Sequence, residues 1–328
     1  MKPDFVDWPI ASLHPERQFT VISTFSGGGG SSLGYVWAGG KILLAVEWDK
    51  NAVETYALNF PNTPIYHGDI ANLSVEETLQ RTGLKPGELD ILDGSPPCQG
   101  FSTAGKRIMN DPRNQLFQEF VRLLSGLQPK VFIMENVSGM VKGAMKFVFV
   151  DILKALKESG YQVSARLLNA MYFGVPQSRE RMIFIGVRND LGIIPSHPKA
   201  QTRPIAVKET IRHFEGRIES KSIYAQHAKY LKIGQKSSNV PFPTRERDVV
   251  RIYPNKPIPA ITKKSQHQLI HYSENRALSY PELSLCASFP VCWQWVSAIN
   301  ERIGNSVPPR FMYAIASHVY EQILVNIK

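Results

Sequence analysis

Phe19-Thr20-Val21-Ile22-Ser23-Thr24-Phe25-Ser26-Gly27-Gly28-Gly29-Gly30-Ser31-Ser32-Leu33-Gly34 is an apolar run that breaks into four consecutive glycines. Phe19 to Phe25 reads as a buried strand, and the glycines as a sharp turn where backbone can approach a bound group closely. Ser31 to Ala38 then reads as a helix, with Gly39-Gly40 as its stop signal. Alone, a Gly-rich strand–turn–helix is equally a tight turn that binds nothing. The segments that follow settle the fold class. Ile42 to Glu47 reads as a second strand, Asn51 to Phe60 as a helix closed by Pro61, and Ile65 to Asp69 as a third extended piece. Leu89 to Asp93 is apolar and ends in the turn Gly94-Ser95-Pro96-Pro97. Arg113 to Leu127 has helical periodicity, and Val131 to Met134 is a strand ending at Glu135-Asn136. This alternation predicts an α/β fold, a mostly parallel twisted sheet with helices on both faces. Functional residues are then expected just beyond the carboxyl ends of the strands.

After Arg188 the texture changes. Residues 190–260 are rich in Pro, Lys, Arg and Ser, so a smaller, irregular second domain is expected there. Helical texture returns from Tyr280, with Arg310 to Ile327 as a closing helix. The chain carries a net charge of +10, and its basicity is local. Between Lys199 and Lys264 stand fifteen Lys and Arg against five Asp and Glu, which accounts for the whole excess. Charge gathered in one segment points to a polyanionic partner better than the same charge spread evenly. Three cysteines, Cys98, Cys286 and Cys292, form no Cys-x-x-Cys element, which argues against a disulfide framework and against a zinc or other metal site. There is no run of about 18 apolar residues, and Met1-Lys2-Pro3-Asp4 lacks a secretory start. No membrane association and a cytoplasmic location are expected.

Chemistry-bearing residues fall at the predicted strand ends. Glu47 lies 20 residues beyond Gly27, where an acidic side chain can accept hydrogen bonds from ribose hydroxyls. A dinucleotide needs its pyrophosphate on the helix amino end, whereas S-adenosylmethionine carries ribose and adenine without phosphate. Asp69, at the end of the third extended piece, suits an adenine amino group, and Gly68-Asp69 alone reads equally as a turn. Asp93-Gly94-Ser95-Pro96-Pro97-Cys98-Gln99-Gly100-Phe101-Ser102 puts a thiol in a loop stiffened by two prolines, which suits a nucleophile needing a defined direction of attack. Glu135 brings a carboxyl to the same sheet edge. In Gln177-Ser178-Arg179-Glu180-Arg181, alternation puts Gln177, Arg179 and Arg181 on one face, fit for a phosphate or base carbonyl, or for a solvated strand end.

In this order, these residues resemble the cytosine-5 DNA methyltransferases, of the prokaryotic modification-enzyme type. The family's Phe-x-Gly-x-Gly-Gly pattern is matched at Phe25, Gly27, Gly29 and Gly30. Pro97-Cys98-Gln99, Glu135-Asn136-Val137, Gln177-x-Arg179-x-Arg181 and Gly304-Asn305-Ser306-Val307 match in sequence and order. The resemblance covers almost the whole chain except roughly residues 190–255. It implies a Rossmann-like S-adenosylmethionine-dependent methyltransferase fold. The implied domains are a catalytic and cofactor-binding one (1–190 with 303–328), a target-recognition one (191–275) and a hinge (276–302). It implies methyl transfer from S-adenosylmethionine, leaving S-adenosylhomocysteine, to carbon 5 of a flipped-out cytosine in double-stranded DNA. Cys98 would add to carbon 6, Glu135 would contact N3 and the exocyclic amine, and Arg181, supported by Arg179, would hold the base carbonyl or nearby phosphate. By the same resemblance Phe25, Ser26, Gly27, Gly29, Gly30, Glu47, Trp48, Asp69, Ile70, Pro97, Leu116, Asn305 and Ser306 bind the cofactor, with Trp48 stacking on adenine or packing in the core. A monomer is expected, with a cognate restriction endonuclease as a partner acting on the same site.

Three positions depart from the family pattern. Ser279 replaces a usual Thr, Pro281 a usual Arg, and Arg302 a Gln. Rival readings are a tRNA cytosine-5 methyltransferase and a non-catalytic DNA-binding protein. The tRNA relatives carry a Cys-Phe-Thr element, but residues 190–275 contain no cysteine. A non-catalytic protein is expected to lose Cys98 or Glu135, and both are present. A nicotinamide oxidoreductase would explain the glycines but not Pro97-Cys98-Gln99.

Overall fold

A computed structural model describes residues 3–97, 115–141, 145–212, 228–239, 249–263 and 268–327. The chain divides into two compact units. One comprises residues 11–168, 180–199 and 312–328 and carries the main sheet. The other comprises residues 1–10, 169–179 and 200–311.

The sheet strands are β1 (Phe19–Thr24), β2 (Gly40–Glu47), β3 (Ile65–His67), β4 (Ile91–Gly94), β5 (Val131–Val137) and β6 (Tyr161–Asn169). After a two-residue β7 (Gln177–Ser178), β8 (Glu180–Arg188) completes the sheet in the order β3-β2-β1-β4-β5-β8-β6. The first five strands pair in parallel, and β8 returns antiparallel to β5. The expected fold class is therefore observed. Helices α1 (Gly30–Trp37), α2 (Lys50–Asn59), α3 (Val75–Thr82), α4 (Gln115–Leu127) and α5 (Met145–Glu158) intervene.

Helix α4 shows why these segments hold. Phe117, Phe120, Leu123, Leu124 and Leu127 recur at helical spacing and are all buried. At roughly 2 kcal/mol each, their burial outweighs intrinsic helix propensity several-fold. They pack with Ile22, Leu92, Phe132 and Phe184 of the strands and with Ile152 and Leu156 of α5 on one face of the sheet. Ser23 and Asp93, one residue further along β1 and β4, face the opposite side, where they meet α1. The chain end returns to the first strand, with the Tyr320 ring 5.6 Å from that of Phe19 and Arg17 paired to Glu321 at 2.8 Å.

Strand β5 runs three residues beyond the expected end at Met134. Its antiparallel ladder with β8 continues to Val137↔Arg181, so Glu135 lies inside a strand rather than after it. A purely parallel neighbour would have released the chain earlier. The closing helix, α9 (Pro309–Gln322), is shorter than its periodic pattern, with α6 (Val207–Ile211), α7 (Tyr280–Cys286) and α8 (Ile299–Asn305) preceding it. Helices α3 and α5 and strand β6 have no counterpart among the segments read from the sequence.

The second unit is irregular among its described residues. It holds two-residue pairs of β7 with β10 (Ile258–Pro259) and of β9 (Val250–Arg251) with β11 (Leu269–Ile270). One small apolar cluster in it is Ala228, Leu231, Val249, Ile270 and Ala277. Buried Arg251 ties together the backbone around this cluster. Its guanidinium donates to the carbonyls of Ala228, Leu231, His271 and Glu274 and to Asn275 Oδ1. This basic residue is therefore a scaffold element, not a contact for a polyanion.

One buried histidine links the sheet-bearing unit to pH. Burial depresses His197 to about 4, aided by the charges of Arg166 and His318 and opposed by the Ser164 backbone. A depressed histidine contributes stability that is complete above its unfolded value near 6.5 and is lost as pH falls towards 4. Lowering the pH from 7 to 5 should remove about 2 kcal/mol through this group. His197→Gln is expected to lose correspondingly less stability over that interval, measured by urea denaturation at both pH values. An identical acid-side loss in the variant would refute the assignment.

Candidate active site

Backbone register gathers the predicted strand ends. Thr24 pairs with Val46 and with Gly94, and Gly94 pairs with Met134. The next residues, Phe25, Glu47, Ser95 and Glu135, therefore emerge side by side from four neighbouring strands. At about 4.8 Å per strand, the whole row spans roughly 15 Å.

The glycine turn begins in strain. Phe25 holds φ +55°, followed by Gly27 at +55° and Gly29 at +93°. The left-handed conformation costs a non-glycine residue on the order of 1 kcal/mol, so Phe25 is held there by its surroundings. Ser26 anchors the turn through its N–H, donated to the Val46 carbonyl at 3.1 Å. A Cβ on Gly27 would meet nothing within 4 Å, so its requirement for glycine is conformational and the space beside it is open. Gly29 is the N-cap of α1, which starts at Gly30.

Glu47 holds this turn. Its Oε2 accepts from Gly27 N at 2.8 Å, and its Oε1 accepts from Trp48 N and Asp49 N at 3.0 and 2.9 Å. A carboxylate has about four acceptor positions, so these bonds leave one, on Oε2. The Trp48 ring beside it is 77% exposed, which rules out core packing and leaves a flat apolar surface next to a buried carboxylate. Asp69 is exposed, and its Oδ1 accepts from Ala71 N at 3.0 Å. Ile70 is buried in the core behind it, so its side chain anchors the turn and does not face outward. Leu116, in the first turn of α4, is half-buried against the same core. An open glycine turn, an acceptor, an exposed ring and a further carboxylate suit a nucleoside.

The next strand end leads to the predicted nucleophile. Cys98 itself lies outside the described residues, but the backbone before it is braced. Asn136 Nδ2 donates to the Pro96 carbonyl at 3.1 Å, while Asn136 Oδ1 accepts from Val137 N at 2.8 Å. Pro97 is exposed. Asn136 was not singled out from sequence, although its place beside Glu135 in a shared motif was the available signal.

Glu135 is ion-paired. Arg181 Nε lies 2.6 Å from Glu135 Oε1, and Arg181 Nη1 donates to the Glu180 carbonyl at 2.7 Å. The pairing follows from register. Val137 lies opposite Arg181, so Glu135 and Arg181 are diagonal neighbours on one face. Both side chains are largely buried, so Arg181 supports the charge and direction of the Glu135 carboxylate.

The other motif residues are placed within the second unit. Arg179 does not share the role of Arg181. It is 3% exposed and donates to the carbonyls of Ile261 and Gly304 at 2.9 and 3.0 Å. Gln177 accepts from Ile261 N at 2.9 Å and donates to the Cys286 carbonyl at 3.4 Å. Residue alternation alone grouped the two arginines, but Gln177 and Ser178 pair with β10 whereas Arg181 onward pairs with β5. Asn305 is exposed at the end of α8, and Ser306 caps that helix by donating its hydroxyl to the Arg302 carbonyl at 2.6 Å. Two of the three departures from the family pattern fit a helix start. Ser279 is the N-cap of α7 in a capping box with Glu282, and Pro281 lies in the first turn, where no N–H is needed. Glu282 is wholly buried and held by Arg276 in a two-pronged pair at 2.7 and 2.8 Å.

Comparison with known proteins gives the family. Residues 19–321 match the family model of the C-5 cytosine-specific DNA methylases. The chain belongs to this family. It is a DNA cytosine-5 methyltransferase. Type II methyltransferase M1.HphI of Haemophilus parahaemolyticus is 35% identical over 324 residues, covering 92% of this chain and 86% of the relative. Type II methyltransferase M.FnuDI of Fusobacterium nucleatum is 31% identical, covering 92% and 94%. Among solved structures, a prophage-encoded DNA modification methyltransferase from E. coli superposes with a TM-score of 0.80 at 24% identity, covering 93% of this chain and 99% of that one. That likeness concerns the fold.

For this methyltransferase, removing Arg181 should leave a largely buried carboxylate without its cation. Arg181→Met is expected to cost about 3 kcal/mol of stability at pH 8. The cost should shrink in the double variant with Glu135→Gln, as read from urea midpoints. Strictly additive losses would show that the pair carries no coupling.

Proposed function

We propose that this chain methylates carbon 5 of a flipped-out cytosine in a specific double-stranded DNA sequence, with S-adenosylmethionine as donor and Cys98 as nucleophile. The observation that carries the reading is the row Glu47, Phe25, Ser95 and Glu135 at one sheet edge. It brings a nucleoside-shaped turn, the braced approach to Cys98 and an ion-paired carboxylate to neighbouring strands.

Cytosine carbon 5 is a weak nucleophile and needs activation. The Cys98 thiolate would add its electron pair to carbon 6, forming a carbon–sulfur bond and pushing ring electrons towards carbon 5. Glu135, directed by Arg181, would hold N3 and the exocyclic amine so that the ring accepts that charge. S-adenosylmethionine, when bound, would supply an electrophilic methyl group, its S–CH3 bond breaking so that the electron pair stays on sulfur and S-adenosylhomocysteine is left. Carbon 5 takes that methyl, its proton then departs to a base, and the returning electrons expel Cys98. Glu47, through its remaining acceptor position, would bind one ribose hydroxyl, Asp69 the adenine amine, and Trp48 the adenine face. Phe25, Ser26, Gly27, Gly29 and Gly30 would shape that pocket with Pro97 and Leu116. We assign Asn305 and Ser306 to the same cofactor. Arg179 is assigned to positioning rather than to contact with the base.

Extruding the base costs a few kcal/mol of unstacking. Release of counterions can offset this cost, and Lys199, Arg203, Lys208, Arg212, Lys229, Lys232, Lys236, Lys256 and Lys263 are all exposed. We assign target recognition to residues 191–275. The relatives are named Type II methyltransferases, and that likeness supports our proposal of a modification enzyme acting beside a restriction endonuclease. We propose further that it acts as a monomer on chromosomal DNA in the cytoplasm.

Bisulfite sequencing of DNA from cells expressing the protein should reveal protected cytosines within one recurring sequence. Methyl transfer to tRNA but not to duplex DNA would overturn the substrate assignment. Cys98→Ser is expected to lower transfer by roughly three orders of magnitude or more while leaving S-adenosylhomocysteine affinity within about twofold. A Cys98→Ser enzyme as active as the parent would rule out the covalent route.

A further inference from the structure

Asp93 is a buried carboxyl that the proposed chemistry does not use. It is 2% exposed and, among the described residues, no cation is paired with it. Three hydroxyls hold it instead. Ser23 Oγ and Ser31 Oγ both donate to Oδ2, at 2.9 and 2.8 Å, and Tyr35 Oη donates to Oδ1 at 3.0 Å. Ser23 belongs to β1, just before the glycine turn, while Ser31 and Tyr35 belong to α1, just after it. The turn is therefore tied at both ends to one side chain of β4. The Asp93 carbonyl also accepts from Thr24 Oγ1 at 2.8 Å. A Cβ on the following Gly94 would stand 2.6 Å from the Phe120 ring and 2.7 Å from Thr24 Oγ1, which fixes the strand's exit.

Burial pushes the Asp93 carboxyl up to about 6, against the pull of the Ser31, Ser23 and Tyr35 hydroxyls, and the Glu135 charge raises it further. Tyr35 and Tyr56 are the other titratable groups coupled to it, and both are raised by burial. An apolar residue would make a cheaper core here. What the carboxyl adds is direction, because each hydroxyl must point at one of its two oxygens.

We propose that Asp93 is a positioning residue that fixes the cofactor turn relative to the strand leading to Cys98, and so sets the approach of methyl donor to target carbon. This rests on the cofactor reading given above. The contact Ser31–Asp93 is the central link, since Ser31 immediately follows the last glycine of the turn.

The test uses Asp93→Asn, Ser31→Ala and the double variant. Calorimetry measures S-adenosylhomocysteine affinity, and steady-state kinetics on duplex DNA give kcat and KM. Asp93→Asn turns one acceptor oxygen into a donor, which faces either the Tyr35 hydroxyl or those of Ser23 and Ser31. It is expected to lower kcat tenfold or more and weaken S-adenosylhomocysteine binding at least fivefold, with KM for DNA within twofold of the parent. Ser31→Ala should weaken binding at least threefold, and the double variant should be no worse than Asp93→Asn alone, because both remove the same contact. Parental kcat and affinity in Asp93→Asn would overturn the inference, as would losses that multiply in the double variant or a KM for DNA that rises in step. If Asp93→Asn fails to fold, Ser31→Ala decides, and parental affinity there overturns it. Failure of the unsubstituted protein to bind S-adenosylhomocysteine defeats the cofactor reading, and this inference with it.

Discussion

Parallel pairing of β1 with β2 and β4, and of β4 with β5, is the constraint on which the candidate site depends. Parallel strands point their carboxyl ends the same way, so residues spread over about 110 positions in sequence end in one row. Phe25, Glu47, Ser95 and Glu135 need no long side chains to meet. A one-residue slip of β4 would turn Asp93 into the apolar layer occupied by Leu92 and bring Leu92 against the hydroxyls of Ser23, Ser31 and Tyr35. The apolar alternation that builds the core thus also specifies the register that builds the site.

Most of the sheet was legible because each strand is either wholly apolar or flanked by strong punctuation, as with Gly27 to Gly30 after β1 or Pro61 after α2. What escaped depended on partners distant in sequence. The end of β5 is decided by β8, some 45 residues later, which holds Glu135 to Val137 in a ladder. Arg179 and Arg181 look equivalent in alternation, yet the strand changes partner between them, sending one guanidinium to backbone carbonyls and the other to a carboxylate. Arg251 looks like one basic residue among fifteen, and only its four carbonyl partners and one amide oxygen distinguish it from a surface charge. Strand β6 is mixed in burial along its length and so offers no clean period of two.

The site residues show a similar division. Glu47, Glu135 and Asp69 were legible as carboxylates at successive strand ends, because position and chemistry coincide there. The lone-pair count at Glu47 was not, since three backbone donors from the glycine turn and the following loop already occupy most of it. Asn136 and Asp93 were passed over for the opposite reason. Neither touches a reacting atom in the proposed chemistry, and the roles of both are defined by bonds to neighbouring strands and loops.

Buried carboxylates are held in three distinct ways, by backbone N–H groups at Glu47, by guanidinium groups and by hydroxyls. Glu282 and Glu135 receive guanidinium partners, Arg276 and Arg181, which favour a fixed negative charge. Asp93 receives only neutral hydroxyls, which direct it without neutralising it. A guanidinium at Asp93 would occupy the space between β4 and α1 and separate the turn from the strand. Hydroxyl donors allow the close approach of Ser31 that the turn requires. Within about two strand spacings, one carboxylate is therefore set up to carry charge towards a base and another to hold backbone in place. Glu135 lies on the strand next to Asp93, and its charge disfavours ionisation of the positioning group. The two demands oppose each other through space, and the hydroxyl cage around Asp93 is what reconciles them.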